Sequence, residues 1–416
     1  MISKSSREVE LAADKVFRSA GYPWKLFCGP LVIEADLASA VRRQGASRAF
    51  VICSPSINSK TDIVDRIKAA LGTLYCGCFD GVENDSTYLS VVAAAEAAKV
   101  AGADLLIAVG GGSVIVAVRG VAVFMGETAD PFDLMTQYSD SQKPFSPRLE
   151  ASKLPIINIP TTPTSAMNRA GSGLKNPDLD HRMEYFDPKT RPASIFLDQG
   201  ALMSAPLGVV RSTATTLFAG LFATLGEQMV NPLVRGDLDQ AFKLAFPAYR
   251  SLMSEPENPS LRCDLALAAF LQNRAEDDGR PMRARGPFAS DYAVATALHL
   301  QFPAIGQGEA TSVLHASTIR LFPEPPPLHE GMATIKALEI SEEARDALSI
   351  SLAIADGLEE LYAGVGMPTR LRDLPVKRSD IAAIAAETVN NFNASASLTS
   401  SEERVANSRA ILEAAW

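Results

Sequence analysis

The chain has 416 residues, 47% hydrophobic and 21% charged, with 39 Lys and Arg against 48 Asp and Glu for a formal net charge of −9. That apolar content excludes global disorder, and the length points to two domains of roughly 200 residues each. A negative balance without a sustained basic run argues against a nucleic-acid partner. There are four histidines (His181, His299, His315, His329) and five scattered cysteines. Both counts argue against an elaborate histidine-built metal centre and against a disulfide framework. A polar N-terminal stretch and the lack of a long apolar run give the expectation of a soluble, cytoplasmic protein with no membrane partner.

In chain order, 49–53 (AFVIC) is a short apolar run followed by Ser54-Pro55, and 59–71 places Ile63, Ile67 and Leu71 on one helical face. A strand is expected over 73–79; its Cys76-x-Cys78 pair has no second pair to complete a metal or redox motif. An alanine-rich helix over 87–102 precedes apolar strands at 105–109 and 156–159. Apolar strands spaced by amphipathic helices predict a parallel sheet covered on both faces. From about Pro206 helical periodicity takes over, at 209–229, 237–254, 261–273, 290–300, 341–363, 379–392 and 401–416. The expected organisation is an α/β domain with a parallel sheet over 1–205 and an all-helical domain over 206–416. Ser341 to Arg345 reads as a capped, acidic start to one helix.

The strand at 105–109 runs into Gly110-Gly111-Gly112-Ser113 and then a helix-like run over 114–124. Glycines there permit close approach of an anion, and the helix start offers free N–H groups. The turn suits a pyrophosphate-bearing cofactor; its plainer use is a tight connection. It lacks the spacing of a GxGxxG fingerprint. A second strand, 154–159, ends in Pro160-Thr161-Thr162-Pro163-Thr164-Ser165, a hydroxyl-rich loop able to donate to phosphate or ribose oxygens.

The GGGS turn, the IPTT loop at 159–162 and the strand IFLD at 195–198, in this order, resemble the iron-containing alcohol dehydrogenase superfamily, and within it the maleylacetate reductases. Lys25 to Gly29 and Cys78 to Val82 add to the likeness. The resemblance implies an N-terminal dinucleotide-binding domain, an all-helical second domain, a cleft between them and a homodimer. It implies that Gly111, Gly112, Ser113, Thr161 and Thr162 touch NAD or NADP, with Ser54 near the adenosine ribose. A serine there leaves the choice of nucleotide open.

The chain departs from that family at the metal. Thr215 and Ala219 stand at the expected Asp and His, and Ala293, Ala297 and Gln307 where further imidazoles belong. Thr, Ala and Gln cannot make a carboxylate–imidazole cage, so a metal-free site is expected. Val116 replaces an Asp near the cofactor, while Arg119 keeps a positive charge. Without a metal, hydrogen-bond donors must stabilise charge on a carbonyl oxygen. Asn168 and Arg169 after the threonine loop, and Arg285, with Arg283 and Tyr292 nearby, are the candidates. The Arg283-Ala284-Arg285 stretch is otherwise an exposed basic loop. His299 is the candidate for proton transfer; its plainer reading is a packed, satisfied histidine. The expectation is a metal-independent, NAD(P)H-dependent reductase of a small carbonyl or keto acid. The alternatives are a non-redox, lyase-type enzyme or a catalytically silent relative on the same scaffold.

Overall fold

The computed structural model describes residues 17–139, 142–179, 181–225, 231–279, 288–323, 328–340, 346–389 and 400–416. Its strands are β1 (Lys25–Gly29), β2 (Ala49–Cys53), β3 (Tyr75–Phe79), β4 (Leu105–Gly110), β5 (Gln137–Ser139), β6 (Gln142–Phe145), β7 (Ile156–Pro160), β8 (Gly171–Leu174), β9 (Met183–Phe186) and β10 (Ser194–Asp198). Six of them form one parallel sheet in the order β1-β10-β7-β4-β2-β3.

The two-residue period of a strand explains why the apolar runs are continuous. Phe50, Ile52, Leu106 and Ala108 point into a core with the Tyr88–Val100 and Gly112–Gly126 helices. Val51, Cys53, Ile107 and Val109 point into another with the Val32–Arg43 and Ile63–Leu71 helices. Both faces are covered, so β2, β4, β7 and β10 are buried throughout. The chain passes from β2 outward to β3 and then back across β2 to β4. The sheet therefore reverses direction between β2 and β4, and ligands of open parallel sheets bind at the carboxyl ends of such strands. Ser54 follows one of those ends and the glycine turn the other.

The expected 59–71 helix is two pieces, Pro55–Lys60 and Ile63–Leu71, because Thr61 is extended and gives its hydroxyl back to the Ile57 carbonyl. The antiparallel pairs β5–β6 and β8–β9 add to the strands that the sequence pattern predicts. Cys78 meets Cys53 on the neighbouring strand, with sulfurs 3.9 Å apart, across the β2–β3 pair. At the far end, buried Asp198 caps the Gln199–Met203 helix and pairs with Arg66 at 3.1 Å.

Beyond Met203 the described elements are helical: Leu207–Phe222, Pro232–Ser251, Pro259–Asp277, Tyr292–Gln301, Gln307–Leu321, Leu328–Ala337, Ala347–Gly364, Ile381–Glu387 and Ser401–Ala414, with short 3-10 turns. The Gln307–Leu321 helix packs against Leu207–Phe222, Tyr292–Gln301, Ala347–Gly364 and Ser401–Ala414. It crosses Leu207–Phe222 so closely that a Cβ on Gly308 would lie 2.0 Å from the Ser212 carbonyl oxygen. Residues Ser341 to Arg345 lie outside the described residues; the next helix begins at Ala347, with Asp346 and Ser349 forming a reciprocal capping box. No described helix is long and apolar enough to cross a membrane.

Candidate active site

A cleft of about 400 Å³ lies where the carboxyl end of the sheet meets the helical part. From the sheet side it is lined by Gly112, Ser113 and Val116 on the glycine-turn helix, Thr164 to Ala166 on the threonine loop, and Asp85, Ser86 and Arg182. From the helical side come Ser212, Thr216, Tyr292, Thr296, His299 and Gln307, with Leu217 and Leu300 as apolar wall.

The glycine turn and threonine loop fit into each other. Thr161 N–H donates to the Gly110 carbonyl at 3.0 Å, and a Cβ on Gly112 would come within 3.0 Å of Thr164 Oγ1. This is a cradle that side chains would fill, at the sheet's switch point, so the residues fit a dinucleotide phosphate. Gly112→Ala should push the threonine loop away and weaken nicotinamide-nucleotide binding at least about tenfold, some 1.4 kcal/mol. A fluorescence titration of wild type and variant checks this.

Not every expected contact residue faces the cleft. Gly112 and Ser113 line it, whereas Gly111 packs against Thr162, and Thr161 and Thr162 are buried beneath the turn. The threonine-loop residues that reach the cleft are Thr164, Ser165 and Ala166. Ser54 occupies the N-cap position of the Pro55–Lys60 helix at the end of β2, outside the cleft lining.

Asn168 and Arg169 do not serve as substrate donors here. Asn168 is buried, donates to the Phe270 carbonyl and accepts from Asn273. Arg169 donates to Asn273 at 2.8 Å and pairs with Glu276 at 2.8 Å. Both sew the threonine loop to the Pro259–Asp277 helix. Arg119 braces the same loop from below, donating to the Ala166 carbonyl at 3.2 Å. Burial, aided by the charges of Arg169 and Arg191, pulls its pKa down to about 9. Arg283 and Arg285 lie outside the described residues.

His299 lines the cleft, and its ring is held at both nitrogens. Nδ1 lies 2.6 Å from the Ile305 carbonyl oxygen and Nε2 lies 3.1 Å from Asp85 Oδ1. Two acceptors require two N–H donors, the inventory of an imidazolium. Burial works against that charge, but the Asp85 hydrogen bond and charge, with the Ile305 carbonyl, outweigh it and raise the pKa above the ordinary histidine value. Burial likewise opposes charge on Asp85, yet His299 and Arg182 hold its carboxyl well below the usual range. Arg182 donates to Asp85 Oδ1 at 2.8 Å, and Lys175 stands 4.0 Å from Oδ2.

Asp85 and Arg182 escaped the sequence reading. Asn84-Asp85-Ser86 looks like any polar turn, and nothing in it announces a partner 214 positions away. Asp85 and Ser86 both take left-handed backbone angles, φ 67° and 53°, rare for non-glycine residues and held here by Ser113. The other histidines described in full are placed elsewhere. His315 is fully buried between the Tyr362 hydroxyl and the Phe288 carbonyl, and burial lowers its pKa to about 4. His181 Nδ1 lies 3.0 Å from the Arg182 carbonyl oxygen.

The family model described as iron-containing alcohol dehydrogenase matches residues 23–199. Maleylacetate reductase 2 of Cupriavidus pinatubonensis is 41% identical over 90 residues, which are 22% of this chain and 24% of that relative. Alcohol dehydrogenase 4 of Schizosaccharomyces pombe is 22% identical over 353 residues, 83% of this chain and 77% of the relative. Among solved structures, a 1,3-propanediol oxidoreductase superposes with a TM-score of 0.80 at 19% identity, covering 97% of this chain and all of the other. Residues 23–199 thus match the iron-containing alcohol dehydrogenase family, and the chain as a whole shares the fold of the solved oxidoreductase. The matched stretch spans only about a quarter of the maleylacetate reductase.

The family's name implies a metal, and the donor set here does not fit one. Thr215, Ala219, Ala293 and Ala297 are buried, and the Thr215 hydroxyl is occupied by the Arg211 carbonyl and the Tyr249 hydroxyl. Among the described residues no three His, Cys, Asp or Glu side chains come together as a metal site. An alkyl side chain offers no ligand atom, and a hydroxyl already hydrogen-bonded is a poor substitute for a carboxylate.

Proposed function

We propose that this protein is a metal-independent, NAD(P)H-dependent reductase of a small carbonyl compound. The observation that carries the reading is the cleft itself, which joins the glycine turn at Gly112 and Ser113 to His299 held by Asp85. A bound nicotinamide would supply a hydride to the substrate carbonyl carbon, with Gly112, Ser113, Thr164 and Ser165 as the residues nearest to hold the nucleotide. The oxygen of the same carbonyl then needs a proton. His299 carries one on Nε2 beside the cleft, and passing it to the oxygen leaves a neutral ring whose Nδ1–H stays on the Ile305 carbonyl. Asp85 keeps Arg182 and Lys175 as counter-charges when that proton leaves. Leu217, Leu300 and Val116 give the cleft an apolar wall that excludes water from part of it.

The test is a fluorescence titration with NADH and with NADPH, followed by assays against aldehydes, ketones and keto acids with a chelator present. Saturable binding of one nucleotide and its oxidation by a carbonyl compound are expected. Failure to bind either nucleotide would refute the reading. Binding without oxidation across the panel would favour a non-redox reaction in the same cleft.

A further inference from the structure

We propose that Cys53 and Cys78 form an oxidisable dithiol, and that its disulfide weakens nucleotide binding by drawing together the ends of β2 and β3. The pair's own chemistry is independent of the reductase reading above; its effect on binding rests on that reading.

Strand geometry sets up the pair. In β3 the register against β2 slips at Cys76, with Ala49 opposite Tyr75 and Phe50 opposite Gly77. A slip of one residue turns the following side chains to the other face. Cys76 therefore packs toward the core that holds Phe50 and Ile52, and Cys78 toward the one that holds Val51 and Cys53. The two cysteines of the Cys76-x-Cys78 motif face apart. The partner of Cys78 is on the neighbouring strand: Val51 stands opposite it, and Cys53 is the next residue along the same face. The sulfurs of Cys53 and Cys78 lie 3.9 Å apart, in hydrogen-bond contact. Cys53 is buried and Cys78 partly exposed, so one thiol is open to a small oxidant and the other waits behind it. The hydrogen bond from Cys53 lowers the Cys78 pKa against the opposing effect of burial, and the Cys53 thiol is pushed up in turn. Cys78 is thus the sulfur that ionises and attacks.

The oxidant is a hydroperoxide. The Cys78 thiolate attacks one peroxide oxygen and becomes a sulfenic acid, and the other oxygen leaves, with a proton from solvent, as water. The Cys53 sulfur then attacks the Cys78 sulfur, and its proton departs with the hydroxyl as a second water. Two thiols lose two electrons and the peroxide gains them. The sulfurs must close from 3.9 Å to about 2 Å. Cys53 ends β2 and leads into Ser54, the N-cap of the Pro55–Lys60 helix. Its carbonyl accepts from Val82 N–H at 3.2 Å, and Asn58 on that helix donates to Asp80 after β3 at 2.7 Å. Pulling Cys53 toward β3 therefore moves the Ser54 turn at the sheet's switch point, where a nucleotide would lie. In a reducing compartment such a bond is transient, which suits a sensor rather than a staple.

The experiment oxidises the full chain with a small excess of hydrogen peroxide, blocks free thiols with N-ethylmaleimide and maps tryptic peptides without reduction. Cys53 lies in peptide 49–60, and peptide 69–99 carries both Cys76 and Cys78, so the map uses the Cys76→Ser variant. The two peptides should appear linked, lighter by two hydrogens than their sum. NADH affinity, read by fluorescence titration, should fall at least about fivefold on oxidation and recover with a phosphine reductant. Cys78→Ser should bind NADH as reduced wild type does and keep that affinity through peroxide treatment. If no linked peptide forms, or Cys78 passes to the sulfinic acid with Cys53 still free, the dithiol is overturned. If the link forms with NADH affinity unchanged, or Cys78→Ser loses affinity as wild type does, the control of binding is overturned. If reduced wild type binds neither NADH nor NADPH, the reductase reading falls and the control of binding with it, while the linked peptide still decides the dithiol.

Discussion

Replacing His299 with alanine is expected to lower kcat by about 100- to 10,000-fold, the usual contribution of a positioned acid or base, with little change in nucleotide affinity. His299 sits on the helical side of the cleft and its ring nitrogens are engaged by the Ile305 carbonyl and Asp85 rather than by the glycine turn, so nucleotide binding has no direct need of it. Its pKa is raised, so the proton donor is present at low pH and is lost as pH rises through that raised value. The rate should fall on the alkaline side accordingly.

Asp85→Asn makes the sharper test. It removes the charge that outweighs burial, so the His299 pKa should drop and the alkaline limb should move to lower pH. A merely structural role for Asp85 would lower the rate at every pH without moving the limb. The same linkage affects stability. The His299–Asp85 contact contributes fully below the unfolded histidine pKa and fades as pH rises through the folded one. In a pH series of denaturant unfolding, the gap between wild type and Asp85→Asn should narrow at alkaline pH by the His299 contribution, leaving that of the Arg182 ion pair.

The second large effect concerns the scaffold behind His299. Asp291 caps the Tyr292–Gln301 helix through Ala293 and Val294 N–H, and it takes both terminal nitrogens of Arg404 at 2.9 and 2.6 Å. Both side chains are buried, at 8% exposure each. Removing one partner strands the other charge in a dry site, typically at about 3–5 kcal/mol. Arg404→Ala should therefore destabilise the protein by that order, read as a lower urea midpoint at unchanged slope. Asp291→Ala should be at least as damaging, since it also uncaps the helix that carries Tyr292, Thr296 and His299. Combining Arg404→Leu with Asp291→Asn should recover part of the loss, because an asparagine still caps the helix and no charge is left unpaired.

The sheet was legible because its strands are buried on both faces and so are written as unbroken apolar runs, as in AFVIC and LLIAV. The glycine turn and the threonine loop were legible for the same reason that they interlock: only small residues and hydroxyls fit there. The Gln307–Leu321 helix was not. Its buried face holds Thr311, Ser312, His315 and Ser317, which look polar in sequence. Thr311 and Ser312 hide that polarity by bonding to carbonyls at Gln307, Glu309 and Pro368. Asn168 and Arg169 looked available for substrate because Asn273 and Glu276, more than 100 positions on, carry no mark of being their partners. Asp85 was hidden likewise. Sequence proximity located the glycine turn and the threonine loop, whereas the charged half of the cleft is assembled by long-range contacts.

Carbonyl reduction without a metal stands or falls on one rate. That rate is the oxidation of NADH or NADPH, with a carbonyl substrate found in the panel, by protein dialysed against EDTA and assayed for metal by plasma mass spectrometry. Unchanged turnover at far less than one metal ion per chain is the predicted result. Loss of activity after dialysis, restored by Fe²⁺ or Zn²⁺, would contradict it.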